Sequence, residues 1–265
     1  HVREAMRKLD LFVVSEVVRS NDTLNCGAHI LLPAAAWGEK DGTVTNSERR
    51  ISRQRAFLDL PGEARPDWWI VSEVAKRLGF GEAFAFASPA EIFAEHVALS
   101  AFENDGARDF DLSGFDVSEA GYHDMPPTQW PKRRNEAAQA RLFSHGRFFT
   151  RDRRAQFHKV EEPSLKEAPD ADFPLLLNTG RVRDQWHTMT RTGLSPRLGS
   201  HIQEPFATLH PDDADECGLA DGGFVRVTSR HGTTILRAHI SDAQRRGEIF
   251  APIHWSAETS SDGRI

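Results

Sequence analysis

Two short, nearly unbroken apolar runs, residues 9–15 (LDLFVVS) and 29–36 (HILLPAAA), constrain this chain more than any other feature. A strand with one wet face alternates apolar and polar residues. A run that is apolar at almost every position suits a strand buried on both faces, as in a parallel sheet covered by helices. A charged amphipathic helix over 2–8 precedes the first run, and polar residues 21–25 open a short helix before the second. Strand, helix and strand in that order predict a parallel βαβ-like unit with a right-handed crossover. Ser15 and Glu16 close the first run, at the carboxyl edge of the expected sheet, where ligands bind in open α/β folds. A carboxylate there accepts hydrogen bonds from a ribose or a guanine edge, and a helix cap or turn fits the position equally well.

Beyond the second run, residues 37–50 (WGEKDGTVTNSERR) read as a long polar loop, its Thr, Asn, Glu and Arg side chains able to pack around a ligand or simply to stabilise the loop itself. Helical spacing resumes over 67–79, with Trp68, Trp69, Val71, Val74, Ala75 and Leu78 as the apolar stripe and Gly79 as the stop. Ser88 and Pro89 are an N-cap and first-turn pair for a helix to about residue 99. Residues 104–169 have low periodicity and read as a connector, with short strands expected at 140–143 and 146–150 and linker character at 161–173.

The last hundred residues turn to β patterning. Strands are expected at 174–178, 224–229, 233–240 and 248–253, with one helix over 211–218. Short strands, tight turns and a single inserted helix predict a small closed barrel. The domains therefore divide as 1–165 and 166–265.

Net charge is −6, which argues against nucleic acid as a partner. No apolar run reaches membrane-spanning length. Arginines cluster at 47–55, 132–134, 147–154 and 179–197; the second and third clusters read as solvated surface, while the planar guanidinium fork otherwise suits phosphate or carboxylate. Cys26 and Cys217 have no metal-binding spacing, and both are expected to be small buried side chains in a reducing compartment, the cytoplasm. His201, His210, Asp212 and Asp213 fit no familiar ligand spacing, and residues 210–214 read as a helix start.

The densest candidate site is TGRVRDQWHT: Thr179, Gly180, Arg181, Val182, Arg183, Asp184, Gln185, Trp186, His187 and Thr188. Gly180, expected just after a strand, admits close approach of a phosphate. Arg181 and Arg183 pair with anionic oxygens, and Trp186 and His187 offer flat faces to a heteroaromatic ligand. His254 and Trp255, at a strand end, fit either the lining of the same pocket or core packing. No nucleophile arrangement stands out, so no catalytic set is expected.

Four segments in order, ILLPAAAWGEKDGTVTNSERRISRQR, PGEARPDWW, LLNTGRVRDQWHTMTRTG and LHPDDADECGLADGGFVRVTSRHG, resemble the C-terminal half of the prokaryotic molybdopterin oxidoreductases. Within them the likeness is greatest to assimilatory nitrate reductases, which have segments similar to WHTMTRTG and HIQEPF. The resemblance implies a partial α/β nucleotide-binding domain followed by a double-psi β-barrel that binds a molybdopterin dinucleotide. It implies molybdenum held by two molybdopterin guanine dinucleotides, and a 4Fe–4S cluster whose cysteines, like the metal ligand, lie upstream of this chain. The activity implied for the whole enzyme is reduction of nitrate to nitrite by oxygen-atom transfer, with electrons from a donor protein or reductase subunit.

By position, Ser15 and Glu16 match strand-end residues that contact a guanosine, Lys40 the lysine before the GT-x-TN loop, and Asp67 the acid after PGEAR. Residues 179–188 match a barrel loop that wraps a dinucleotide, and Ile253 a cofactor contact near the last strands. The chain begins inside a βα unit and stops before the family pattern ends, so it is expected to be part of a longer protein and inactive alone. Two other readings stay open: the same portion of a formate dehydrogenase, and a non-catalytic β-barrel binding module.

Overall fold

A computed structural model describes residues 2–137 and 140–260. Residues 1, 138, 139 and 261–265, which include the end of the second expected domain and a short piece of the expected connector, lie outside the described residues. The chain divides into two compact units. One comprises residues 1–12, 18–29 and 162–265, and the other residues 13–17 and 30–161.

In the second of these units, β1 (Val13–Glu16) and β2 (Ile30–Pro33) pair in parallel, Val13 opposite Ile30 and Glu16 opposite Pro33. The parallel pair predicted from the two apolar runs is present, but its burial on both faces is not. β1 alternates exposed and half-buried, and Ile30 and Leu31 are exposed, because among the described residues each strand has one partner. The link between them carries a single short 3-10 turn, Leu24–Cys26, in place of a helix.

The polar stretch 37–50 is not a long loop. It contains β3 (Gly42–Thr45), which forms an antiparallel hairpin with β4 (Arg50–Gln54). Asn46 makes the turn, its Oδ1 accepting from the backbone N–H of Glu48 and of Arg50. α2 (Asp67–Ala75) then runs into a wider turn over Lys76–Phe80, where Gly79 takes a φ of 93°. The helix buries Ser72 and Ala75; of the expected apolar stripe only Ala75 is buried and Trp68 half-buried, while Trp69, Val71, Val74 and Leu78 stay exposed. α3 (Pro89–Ala101) starts as predicted, with Ser88 Oγ accepting from Glu91 N–H and Pro89 at the first position.

The expected connector is, over its first part, core. It supplies α4 (Glu119–His123) and β5 (Thr128–Gln129), which pairs with β4. Leu112, Phe115, Tyr122 and Met125 pack with Ile51, Ala90, Phe93 and Val97 as the hydrophobic core of this unit. Long-range contacts replace periodicity here, so the pattern gives no sign of burial. Residues 140–143 and 146–150 form turns rather than strands, with Phe143 stacked on Phe148 at 4.7 Å.

The other unit starts with α1 (Val2–Met6), and its main body is a five-stranded mixed sheet of β6 (Leu176–Gly180), β7 (Phe206–Leu209), β8 (Phe224–Ser229), β9 (Gly232–Ile240) and β10 (Glu248–Pro252). The order is β6-β10-β7-β9-β8, so β6 and β8 are edges, and the closed barrel expected from the sequence is not formed by the described strands. Alternation sets its core: Ala207, Leu209, Val225, Leu236, Ala238, Ile249 and Ala251 face inward, joined by Ala214 from α5 (Pro211–Glu216). His210 caps α5 through Nδ1, which accepts from Asp212 N–H. Asp213 is buried and accepts from Gly247 N–H at 2.7 Å, tying this helix to the start of β10. Cys26 is buried, but Cys217 is exposed, because it follows α5 at the turn made by Gly218 (φ 65°).

Candidate functional site

The sheet places the densest sequence candidate. Parallel pairing of β6 with β10 sets Pro252 opposite Gly180, so the end of the last strand lies beside the start of the 179–188 segment. Ile253 N–H donates to Gly180 O at 3.0 Å, which joins two candidates 73 residues apart in sequence. The strand runs two residues further than expected, through Thr179 and Gly180. A Cβ on Gly180 would sit 2.8 Å from Phe250 Cε2, so the missing side chain makes room for that ring as well as for any close ligand.

Beyond Gly180 the segment separates into buried anchors and exposed groups. Val182 and Gln185 are buried. Thr192 Oγ1 donates to Gln185 Oε1 at 2.7 Å and accepts from Trp186 N–H at 3.3 Å, fixing the middle of the loop. Arg181, Arg183, Trp186, His187 and Thr188 face outward. Arg183 makes two hydrogen bonds to Asp184, both 2.8 Å, and these hold the Asp184 carboxyl below the usual carboxylate range. Arg183 is thus already paired, with His201 Nδ1 also 3.2 Å from Asp184. Arg181 instead lies over the Trp186 indole, 5.0 Å from the ring centroid, and makes no ion pair among the described residues. Trp186 and His187 stand edge to face at 4.6 Å. An uncompensated guanidinium beside two flat faces suits an anion attached to a heteroaromatic ring. The donor set therefore fits a nucleotide-bearing cofactor, with Arg181 for phosphate and Trp186 for the ring.

In the other unit, Ala34 N–H donates to Glu16 O, and Ala34 bridges in parallel to Arg65. This ladder sets the end of β2 between the end of β1 and the residues that lead into α2. Glu16 Oε1 accepts from Val17 N–H. Lys40 and Asp67, singled out independently in the sequence, form an ion pair at 2.6 Å. At such exposure the pair contributes only about 0.5 kcal/mol.

Sequence reasoning missed what holds Lys40 in place. The neighbouring Asp41 receives two hydrogen bonds from Arg53, 2.6 and 2.9 Å, and one from the Tyr122 hydroxyl at 3.0 Å. The Arg53 side chain is 1% exposed, and its guanidinium lies 3.7 Å from the centre of the Tyr122 ring. Burial pushes the Asp41 carboxyl up, but the bonds from Arg53 and Tyr122 outweigh it and hold the group below its ordinary value. Burial and the Asp41 charge push the Tyr122 hydroxyl up. No motif marks these residues, since 81 positions separate Asp41 from Tyr122. His254, weighed as either pocket or core, is fully buried beneath the 179–188 segment. Among the described residues no three His, Cys, Asp or Glu side chains converge as a metal site, and no helix is long and apolar enough to cross a membrane.

One unit thus holds a parallel strand pair and an antiparallel hairpin, and the other a mixed sheet bearing an exposed arginine–aromatic loop. It superimposes on acetylene hydratase from Pelobacter acetylenicus with a TM-score of 0.58 at 19% identity, covering 92% of this chain and 33% of that one. Two family models match, "Molybdopterin oxidoreductase" at residues 1–77 and "Molydopterin dinucleotide binding domain" at residues 175–264. The chain belongs to the molybdopterin oxidoreductases. It is 49% identical over its whole length to a nitrate reductase of Klebsiella oxytoca, and 32% identical over 96% of its length to an F420-dependent formate dehydrogenase subunit alpha of Methanocaldococcus jannaschii. It spans 30% of the first of these relatives and 36% of the second.

Proposed function

We propose that this chain is the cofactor-cradling portion of a molybdenum-dependent nitrate reductase, and that the cofactor is a molybdopterin guanine dinucleotide. The observation that carries this reading is the loop in which Arg181 lies over Trp186 without an ion pair, beside Ile253. In it, Thr179, Gly180, Arg181, Val182, Arg183, Asp184, Gln185, Trp186, His187, Thr188 and Ile253 bind one dinucleotide. Ser15, Glu16, Lys40 and Asp67 contribute to holding a guanosine group. The domains divide near residue 165, and the mixed sheet is the larger part of a double-psi barrel. When bound, the molybdenum cofactor supplies oxygen-atom transfer, while the residues of this chain bind and orient it. A 4Fe–4S cluster, the metal ligand, the electron donor protein and the cytoplasmic setting belong to the same reading of the whole enzyme.

The identity of 49% along the full chain favours nitrate as the substrate. Formate oxidation is the second reading, favoured by the relatives of that name. Calorimetric titration with GDP tests the cradle. The chain is expected to bind weakly, and Arg181→Ala to weaken binding about tenfold, the loss of one charge-assisted hydrogen bond of about 1.5 kcal/mol. Trp186→Ala is expected to lose about 1 kcal/mol of stacking. Equal affinity in wild type and both variants removes the loop from the site. For the whole enzyme, reduction of nitrate by dithionite-reduced methyl viologen, without oxidation of formate, separates the two substrates.

A further inference from the structure

We propose that His254 is the positioning residue of the 180–188 loop, holding it from beneath at both ends as a neutral imidazole. This rests on the reading above only for what the loop binds. The ring is fully buried. Its Nε2 accepts from Val182 N–H at 2.9 Å, and its Nδ1 lies 2.6 Å from His187 O. A carbonyl only accepts, so Nδ1 carries the proton; Val182 N–H only donates, so Nε2 carries none. One tautomer alone satisfies both ends.

The adjoining residues act with it. Ile253 N–H holds Gly180 O, and Trp255 packs with Val182 and Met189 in a small apolar cluster. Residues 253–255 therefore fasten the loop at Gly180, Val182, His187 and Met189. Two of these points are strained, because His187 (φ 47°) and Met189 (φ 60°) occupy the left-handed region that side chains other than glycine enter at a cost. That conformation turns Trp186 and His187 outward, and such a conformation persists only where its surroundings enforce it. The bond from Nδ1 to His187 O is placed to do so. His254 does not face the ligand; it acts through the loop's shape.

The test uses three variants of the full chain. His254→Phe keeps a planar ring and removes both bonds. His254→Gln places an amide oxygen where Nε2 was and restores the acceptor for Val182 N–H. His254→Asn places an amide N–H where Nδ1 was and restores only the donor to His187 O. Amide hydrogen exchange is followed for residues 181–189, thermal melting reports folding, and GDP titration reports binding. The expected result is a cooperative melt for His254→Phe with exchange at least ~10-fold faster in this segment, since both bonds that fasten it are lost. Val182 protection returns in His254→Gln but not in His254→Asn, and GDP affinity falls in step with lost protection. In the wild type, imidazole 15N shifts place the proton on Nδ1.

Unchanged exchange in His254→Phe, equal Val182 exchange in the Gln and Asn variants, or a proton on Nε2 overturns the proposal. If His254→Phe does not fold, the difference in Val182 exchange between the Gln and Asn variants decides. If the wild type does not bind GDP, the cofactor reading fails while the exchange data still decide the role of His254.

Discussion

At the scale of single residues, the most consequential side chain in the hairpin unit is Arg53. It is buried, bonded twice to Asp41 and stacked on Tyr122. Removing its carboxylate partner leaves a buried charge without compensation. Asp41→Asn is therefore expected to cost about 2 kcal/mol at neutral pH, toward the low end for a charged pair because Asp41 is one-third exposed. The folded-state carboxyl lies below its ordinary value, so the unfolded chain binds the proton more readily. The contribution is then present above about pH 4 and lost as pH falls through the folded value. Urea melts of wild type and Asp41→Asn at a series of pH values check this. The gap between them should be widest near pH 7 and close below pH 4, and a gap independent of pH would show that the ion pair is not its source. Neither residue was legible as a candidate, because Arg53 sits in a basic cluster that the sequence alone does not divide into paired and unpaired members.

Among elements, the β6–β10 pairing does most to create the candidate site. It depends on a glycine for a local reason, since the Phe250 ring occupies the space beside Gly180. Gly180→Ala is expected to cost about 1–3 kcal/mol by overpacking, and Phe250→Leu in the same chain should recover most of it. Denaturant unfolding of the two single variants and the double variant measures the coupling. Simple additivity would mean that the glycine serves some other purpose. Element existence was well marked in the sequence wherever one face is buried: β8 and β9 alternate, and α3 opens on a serine cap followed by proline. The β3–β4 hairpin was hidden because its outward residues are polar and its turn uses an Asn side chain instead of an Asn-Gly pair.

For the whole molecule, apolar surface is the informative quantity. Ile30 and Leu31 on β2, and Val71, Val74 and Leu78 near α2, remain open to solvent, Leu78 to 69%. An apolar dye such as anilinonaphthalene sulfonate is expected to bind the native chain. Leu31→Lys and Leu78→Glu should reduce its fluorescence while leaving stability within about 0.5 kcal/mol, as for other surface changes. A drop in melting temperature with unchanged dye binding would mean that these side chains are packed instead.

Sequence alone determined the local half of this protein. Continuous apolar runs specified parallel strands, alternation specified the faces of the mixed sheet, and caps specified where helices begin, because each depends on residues within a few positions of one another. The ordered motifs likewise identified the family before any geometry was known. Tertiary structure decided the rest. It made Leu112, Phe115 and Tyr122 core in a segment without periodicity, joined Lys40 to Asp67, and put Ile253 and His254 under Gly180 and Val182. The physical reason is that a hydrogen bond or ion pair between residues 27 to 81 positions apart leaves no repeat or spacing in the chain. Its energy depends on where the fold brings the partners.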